Sequence, residues 1–520
     1  MLADAPTPAR IALNRTTFGA RDFDVAQVER IGWAAWVEEQ LAAPSGDDPH
    51  LAQFIASQRL HYNYPAMTFG TKSWAALEED RPLNYLKADI ELLYALAKGP
   101  VGNYTFGEQV WPRIEHCAAI FMRNTHSVFQ LREFMADFWL NHFSMSHQKS
   151  AYVSTALVAF DRDVIRPNVF GNFRAMLEGV AKSPAMLVYL DNADSTASLP
   201  NENYARELME LHTMGEAAYL GKAPAGPESS SKGFTDADML QAARALSGWT
   251  LERGQIFGRP ETGRFTYNEG QHNTTAGQCL GFDLGTLKGE AQGRKVLDLV
   301  AYHPATPGFI CTKICRRIFG DSPSIDVIER AKQAWIAHRE SPDQIAHVLR
   351  AILLDGPEIG AGPAVKVRRP YERLVALWRA TDTVVNASRY WSIILGDLND
   401  AHFVWPTPNG RPDVNSFWLN TFVNITTWQY MRDIFAQLGI QTTFRAQTPP
   451  EALGSIIDTV DYWVGRIIGH ALSPEAMQAL YTYANWGASY GFGGAPWNPD
   501  EQTLRNIAAA IAMAPEFVLR

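Results

Sequence analysis

Apolar residues recur at helical spacing along almost the whole 520-residue chain. Stretches such as 83–96, 111–123, 289–302 and 307–319 place them at i, i+3 and i+4, which is typical of amphipathic helices packed on a core. Only the segment from Arg259 to Gly285, rich in Gly, Thr and Asn, has strand or irregular character. The pattern predicts a mainly α protein with long irregular loops and at most a small β element.

The same regularity predicts one large helical domain over residues 1–520, since no linker-like composition interrupts it. An alternative division gives an N-terminal helical half, 1–250, and a C-terminal half, 251–520, that carries the irregular loops. The net charge of −9 and the lack of a basic cluster exclude nucleic acid as the expected partner. The sequence contains no run of about 18 apolar residues, so we predict no membrane span. The N-terminal segment lacks a basic region followed by an apolar region, so no signal peptide is visible there.

The segment from Leu199 to Gly215, LPNENYARELMELHTMG, crowds ionisable side chains among apolar ones. Pro200 suits the approach to a helix, and Asn201 or Asn203 can cap its first amides. The residues from Tyr204 to Met214 are good helix formers, and Gly215 ends the run. A buried helix with this many charges predicts a polar site.

Helical spacing places Asn203, Arg206, Glu207 and Glu210 on one face of that helix. Two carboxylates held close together in a low dielectric cannot both ionise cheaply, so one pKa rises. A raised carboxyl pKa suits a general acid near neutral pH. The alternative is a solvated face, on which Arg206 pairs with Glu202 or Glu210 and has no further role.

Further candidates lie on neighbouring segments. Asp137 belongs to a thin polar stripe through the apolar helix 127–143, and His142 stands at the end of that helix. Asp191 ends a short apolar helix whose loop leads into the segment that contains Glu202. An aspartate and two histidines, His142 and His147, resemble half of a metal site, but their spacing matches no zinc signature. We therefore predict no metal and no cofactor.

Two loops offer candidates for substrate binding. His272 lies in the middle of the irregular segment, and Trp405 and Trp418 lie in the loop FVWPTPNGRPDVNSFWLN. Exposed aromatic rings beside Asn and Asp suit the C–H faces of sugars, although the loop could equally be a packed lid without a ligand. Cys311 and Cys315, four residues apart in an apolar helix, are expected to be core thiols.

Several segments together resemble the bacterial family catalogued as domain of unknown function 1800. The resemblance covers nearly the whole chain; the matching segments are RIALNRTTFGA, LREFMADFWLNHFS, MLVYLDNADS, NENYARELMELHTMG, ARALSGWT, HPATPGFICTKICRRIF, VWPTPNGRPDVNSFWLN and IAMAPEFVLR. Asn273 stands where the family usually has an acidic residue, and Arg411-Pro412-Asp413 where it usually has a glycine–tryptophan pair. The resemblance implies an extracytoplasmic location, periplasmic or secreted. The name of the family records that no activity was established for it.

Two functions remain open from the sequence. The first is a hydrolase, a glycoside hydrolase acting on a polysaccharide or oligosaccharide, with its catalytic carboxylates among Asp137, Asp191, Glu202, Glu207 and Glu210. The expected substrate-binding residues are Asn203, Arg206, His142, His272, Trp405 and Trp418. The second is a non-catalytic structural or secretion-associated protein, in which the polar helix pins the packing. Neither reading predicts the oligomeric state.

Overall fold

The computed structural model describes residues 2–222, 228–254, 260–437, 443–489 and 497–520. Arg259, where the predicted irregular segment begins, lies outside them. The described chain is mainly α, as the periodicity predicts. Up to residue 250 the helices are α1 (Pro8–Thr16), α2 (Asp22–Ile31), α3 (Trp33–Leu41), α4 (Pro49–Ser57), α5 (Ile90–Ala97), α6 (Trp111–His126), α7 (Gln130–His142), α8 (Ala151–Ala159), α9 (Arg166–Asn168), α10 (Phe173–Lys182), α11 (Pro184–Tyr189), α12 (Glu202–Glu207) and α13 (Asp236–Leu246).

The second half continues in the same way. Its helices are α14 (Glu290–Ala301), α15 (Ala305–Phe319), α16 (Ile325–Ala337), α17 (Gln344–Leu353), α18 (Pro370–Ala380), α19 (Tyr390–Asp397), α20 (Asn415–Trp418), α21 (Thr421–Gln437), α22 (Phe444–Gln447), α23 (Ile456–Ile467), α24 (Pro474–Ser489), α25 (Glu501–Ile511) and α26 (Pro515–Val518). Two wider π-helical turns, Phe160–Ile165 and Leu208–Thr213, directly follow α8 and α12. No described helix is both long and apolar enough to cross a lipid bilayer.

The sequence patterns explain how individual helices form. In α17, Ile345, Val348, Leu349 and Ile352 follow helical spacing and are all buried. In α13, the Thr235 hydroxyl accepts from the backbone N–H of Asp238, and the Asp238 carboxylate accepts from the backbone N–H of Thr235. This capping box satisfies backbone groups that a helix end otherwise leaves unpaired.

Four two-stranded antiparallel sheets are the β structure of the described residues. The strands are β1 (Arg59–Tyr64), β2 (Met67–Phe69), β3 (Lys72–Trp74), β4 (Leu77–Pro82), β5 (Trp249–Leu251), β6 (Phe265–Tyr267), β7 (Gln278–Cys279) and β8 (Phe282–Asp283). The pairs are β1 with β4, β2 with β3, β5 with β6, and β7 with β8. The prediction that only the irregular segment has strand character is therefore wrong for residues 59–82 and for Trp249–Leu251. Only Leu60 and Tyr62 of β1 point into the core, which is too short an alternation to stand out.

One large apolar cluster gathers buried side chains from Ala12 to Phe517. It includes Cys311 and Cys315, which are buried free thiols as predicted. A smaller cluster lies under the β1–β4 pair and packs the stacked rings of Tyr62 and Trp111. The division of the chain near residue 250 stays a prediction.

Glu115 of α6 is a fully buried carboxyl group beside this smaller cluster. The Tyr62 hydroxyl and the Leu86 backbone N–H donate to it, yet burial raises its pKa from 4.5 to about 8. Because the pKa is raised on folding, the folded state holds a proton that the unfolded chain loses. Stability therefore falls as the pH rises from about 4.5 to about 8.

We expect Glu115→Gln to remove this pH dependence. Relative to the wild type, the variant should gain roughly 1–3 kcal/mol of unfolding free energy on going from pH 5 to pH 8. Urea unfolding at both pH values measures the change, with Glu202→Gln, an exposed glutamate, as the matched control. An equal effect of Glu115→Gln at both pH values would contradict the buried proton.

Candidate functional site

The segment from Asn201 to Gly215 forms two kinds of helix rather than one. The Asn201 side chain caps α12 by accepting from the Asn203 backbone N–H at 2.8 Å. After Glu207 the chain widens into the π-helix, in which the Thr213 hydroxyl donates to the Leu208 carbonyl at 2.6 Å. The predicted continuous α-helix is thus wrong after Glu207. The wider turn shifts the later side chains around the axis, and short π segments recur at functional sites.

Gly215 ends the π-helix, as predicted. Its φ of +88° favours glycine, and a Cβ there would lie 2.5 Å from Cδ2 of Phe309 in α15. A glycine at this position therefore lets the segment approach α15 closely.

Glu207 and Glu210 form the central pair of carboxyl groups. Arg206 donates to Glu210 at 3.1 Å, which leaves Glu207 without a hydrogen-bond or ion-pair partner among the described residues. Burial raises the pKa of Glu207, and the charge of Glu210 adds to this, while Arg206 opposes it. One carboxyl group is thus paired and the other is inclined to keep its proton, which is the asymmetry that acid–base catalysis requires.

The end of α11 lies close to this pair. Burial raises the pKa of Tyr189 to about 12, and the negative charge of Glu207 contributes to the increase. Two residues later, Asp191 adopts a left-handed backbone with a φ of 60° and accepts from Lys149 at 2.8 Å. Half of the Asp191 side chain is exposed, so the Lys149–Asp191 ion pair is accessible to a ligand.

A buried cluster of two histidines and a lysine lies behind the π-helix. Lys313 of α15 donates to Nδ1 of His142 at 2.9 Å, and Nε2 of His142 donates to the His212 carbonyl at 3.1 Å. Burial lowers the pKa of Lys313 to about 8 and that of His212 to about 3. His142 therefore holds the π-helix in place from inside the protein, and its predicted role in substrate binding stays a prediction. The lysine among the apolar residues of FICTKICRRIF was the only sequence signal for Lys313.

Asp137 does not join the carboxylate pair. It is buried in a separate network, where it accepts from Arg317 at 3.0 Å, Arg369 at 2.5 Å, Arg411 at 3.1 Å and His402 at 2.7 Å. Burial works against its charge, but these partners outweigh burial and hold the pKa of Asp137 well below its usual range. It keeps no proton to donate and is shielded from solvent, so this geometry gives no support to its predicted catalytic role, which stays a prediction.

The remaining candidates lie in several environments. Glu202 and Asn203 are exposed at the start of α12, and Asn203 is one helical turn before Glu207. His272 is buried, with Nδ1 3.0 Å from the Ser247 carbonyl and Nε2 2.8 Å from the Gln292 side chain, so it pins the irregular segment to α14. Trp418 is 1% exposed and donates to the Pro412 carbonyl at 2.7 Å. Trp405 is half-buried and packs edge-on against Phe417. The loop is a packed structure, and the predicted exposure of Trp418 is wrong.

A polar cavity of about 420 Å³ adjoins the loop between α11 and α12. The β5–β6 pair forms its other wall. It is lined by Ala193, Asp194, Thr196, Thr250, Leu251, Glu252, Arg253, Gly254, Pro260, Thr266, Asn268 and Gln271. Its size is that of small-molecule sites, and its hydroxyl, amide and carboxylate groups suit a hydroxylated ligand.

Comparison with known proteins gives one result. No curated protein and no solved structure matches the chain. The family model described as "Protein of unknown function (DUF1800)" matches residues 11–519, which is nearly the whole length. The resemblance seen in NENYARELMELHTMG and the other segments is thereby confirmed. The chain belongs to the DUF1800 family.

Proposed function

We propose that the protein is a hydrolase of glycosidic bonds in a polysaccharide or oligosaccharide. The observation that carries this proposal is the asymmetric carboxyl pair: Glu207, which has a raised pKa and no partner among the described residues, beside Glu210, which accepts a hydrogen bond from Arg206. In this proposal Glu207 protonates the leaving oxygen, and Glu210 acts as the base or nucleophile. Asp191 and the polar cavity beside the α11–α12 loop would contact the sugar hydroxyl groups. An extracytoplasmic location, which the family resemblance implies, belongs to the same proposal.

A structural role is the second candidate, and the buried Asp137 network favours it. Three arginines and a histidine surround one carboxylate there, and they join α7 to α15 and to the segments around α18 and α20. Such a network can be kept because it fixes a single packing of the helices. It does not explain the unpaired carboxyl of Glu207, which contributes no ion pair among the described residues.

The test is product analysis with a panel of bacterial and plant polysaccharides. Wild-type protein, Glu207→Gln and Glu202→Gln are incubated with each polymer, and new reducing ends are identified by mass spectrometry. The hydrolase proposal expects products from the wild type and from Glu202→Gln but not from Glu207→Gln. Equal products from all three proteins would exclude Glu207 as the general acid. No products from a correctly folded wild type on any polymer would favour the structural role.

A further inference from the structure

A second cavity, distinct from the Glu207 pair, lies between α4, α6, α8 and the turn at residues 82–87. Its volume is about 430 Å³, which is within the usual range for small-molecule sites. Ala52, Ala56 and Lys87 are exposed at its mouth, and His116 and Asp161 are buried at its floor. Asp161 belongs to the first π-helix, Phe160–Ile165.

Positive charge outnumbers negative charge around this cavity. Arg123 pairs with Asp47 at 2.8 and 3.0 Å, and Arg166 contacts Asp161 at 3.0 Å and Glu133 at 2.9 Å. Counting the residues that line the cavity and their ion-pair partners, there are five cations and four carboxylates. The cations are Lys87, Arg123, Arg132, Arg162 and Arg166. The carboxylates are Asp47, Glu133, Asp161 and Asp163. Lys87 is the cation without a carboxylate partner among the described residues.

Two buried polar atoms of the floor residues also lack partners. Nε2 of His116 lies 2.8 Å from Oδ2 of Asp161, while Nδ1 of His116 and Oδ1 of Asp161 make no hydrogen bond. Burial works against the charge of Asp161, but Arg166 and His116 outweigh it and lower its pKa, so the carboxylate accepts. Nε2 therefore donates, and Nδ1 of the neutral ring is an acceptor. Buried acceptors of this kind require a hydrogen-bond donor.

We infer that this cavity binds a small hydroxylated oxyanion, with its carboxylate or phosphate at the cationic mouth and a hydroxyl group toward His116 and Asp161. Excess cations alone would suit any anion, and the unpaired acceptors alone would suit any polyol. A single ligand that carries both groups accounts for both observations. This site shares none of its lining residues with the proposed hydrolase site, and either proposal can fail without the other.

Calorimetric titration of the full chain at constant ionic strength tests this inference. The probes are D-glucuronate, D-glucose 6-phosphate, D-glucose and inorganic phosphate. We expect glucuronate or glucose 6-phosphate to bind at least about tenfold more tightly than glucose and inorganic phosphate, because only they carry both groups. The preferred probe then identifies the oxyanion as carboxylate or phosphate. No preference over glucose and inorganic phosphate would overturn the inference.

Two variants locate the binding. Lys87→Glu reverses the unpaired cation at the mouth and should weaken binding at least about tenfold, whereas Lys288→Glu makes the same charge change at an exposed site elsewhere. Ala56→Trp blocks the mouth without changing any charge and should weaken binding as well. Equal loss in Lys87→Glu and Lys288→Glu, or unchanged binding in Ala56→Trp, would overturn the assignment to this cavity.

Discussion

Replacing Asp137 with asparagine is expected to destabilise the protein by about 3–5 kcal/mol. The substitution keeps the size of the side chain but removes the negative charge that Arg317, Arg369 and Arg411 share at 2.5–3.1 Å. Those guanidinium groups are at most 5% exposed and cannot regain water without disturbing the core. Breaking a buried pair by removing one partner leaves uncompensated charge, which accounts for the large cost.

Urea unfolding of Asp137→Asn at pH 7 measures this loss. Asp191→Asn is the matched control, because it is the same substitution in an ion pair whose carboxylate is half-exposed, and it should cost at most about 1 kcal/mol. A variant of Asp137 with wild-type stability but lost hydrolysis would contradict this expectation and support the predicted catalytic role.

The same network predicts an acid limb of stability. The pKa of Asp137 is held well below 3.8, so its contribution is fully present above that value and is lost as the pH falls below it. The unfolding free energy of the wild type should therefore decrease below about pH 4, and Asp137→Asn should show a shallower decrease.

The sequence predicts the helices well because their apolar spacing is a local property. It predicts the end of the key segment at Gly215 for the same reason. It also singles out Arg206, Glu207 and Glu210, since residues three and four positions apart lie together on any helix. The π-helix after Glu207 has no such local signature, and its side-chain positions could not be predicted.

Long-range partners were beyond prediction from one sequence. Asp137 stands in a polar stripe that resembles a site, but its four partners lie 180 to 274 residues further along the chain. The aromatic loop shows the same difficulty, because Trp418 looks exposed among Pro, Asn and Asp but is covered by its own loop and by Val367 and Val423. In both cases the environment of the side chain is set by its burial, and burial depends on which distant segments of the chain pack together.

Under the proposed function, Glu207→Gln is expected to lower hydrolysis by about 10²–10⁴-fold, the usual contribution of a positioned general acid. Glutamine has nearly the same shape but no proton to give to the leaving oxygen. Because Glu207 makes no ion pair among the described residues, unfolding should change little, within about 0.5 kcal/mol. Initial rates and urea unfolding of Glu207→Gln and Glu202→Gln separate a catalytic loss from a structural one.

The pH profile adds a test that a structural role would not satisfy. A general acid must be protonated, so kcat/KM should fall as the pH rises through the raised pKa of Glu207. Glu210→Gln removes the repulsion that helps to raise this pKa and should lower it, whereas Arg206→Gln removes an opposing cation and should raise it further. Carbon-13 NMR of labelled glutamate carboxyl groups, with the Glu207 signal assigned by its absence in Glu207→Gln, follows both shifts without requiring activity. Shifts in the same direction would mean that the charges of Glu210 and Arg206 do not control the proton on Glu207.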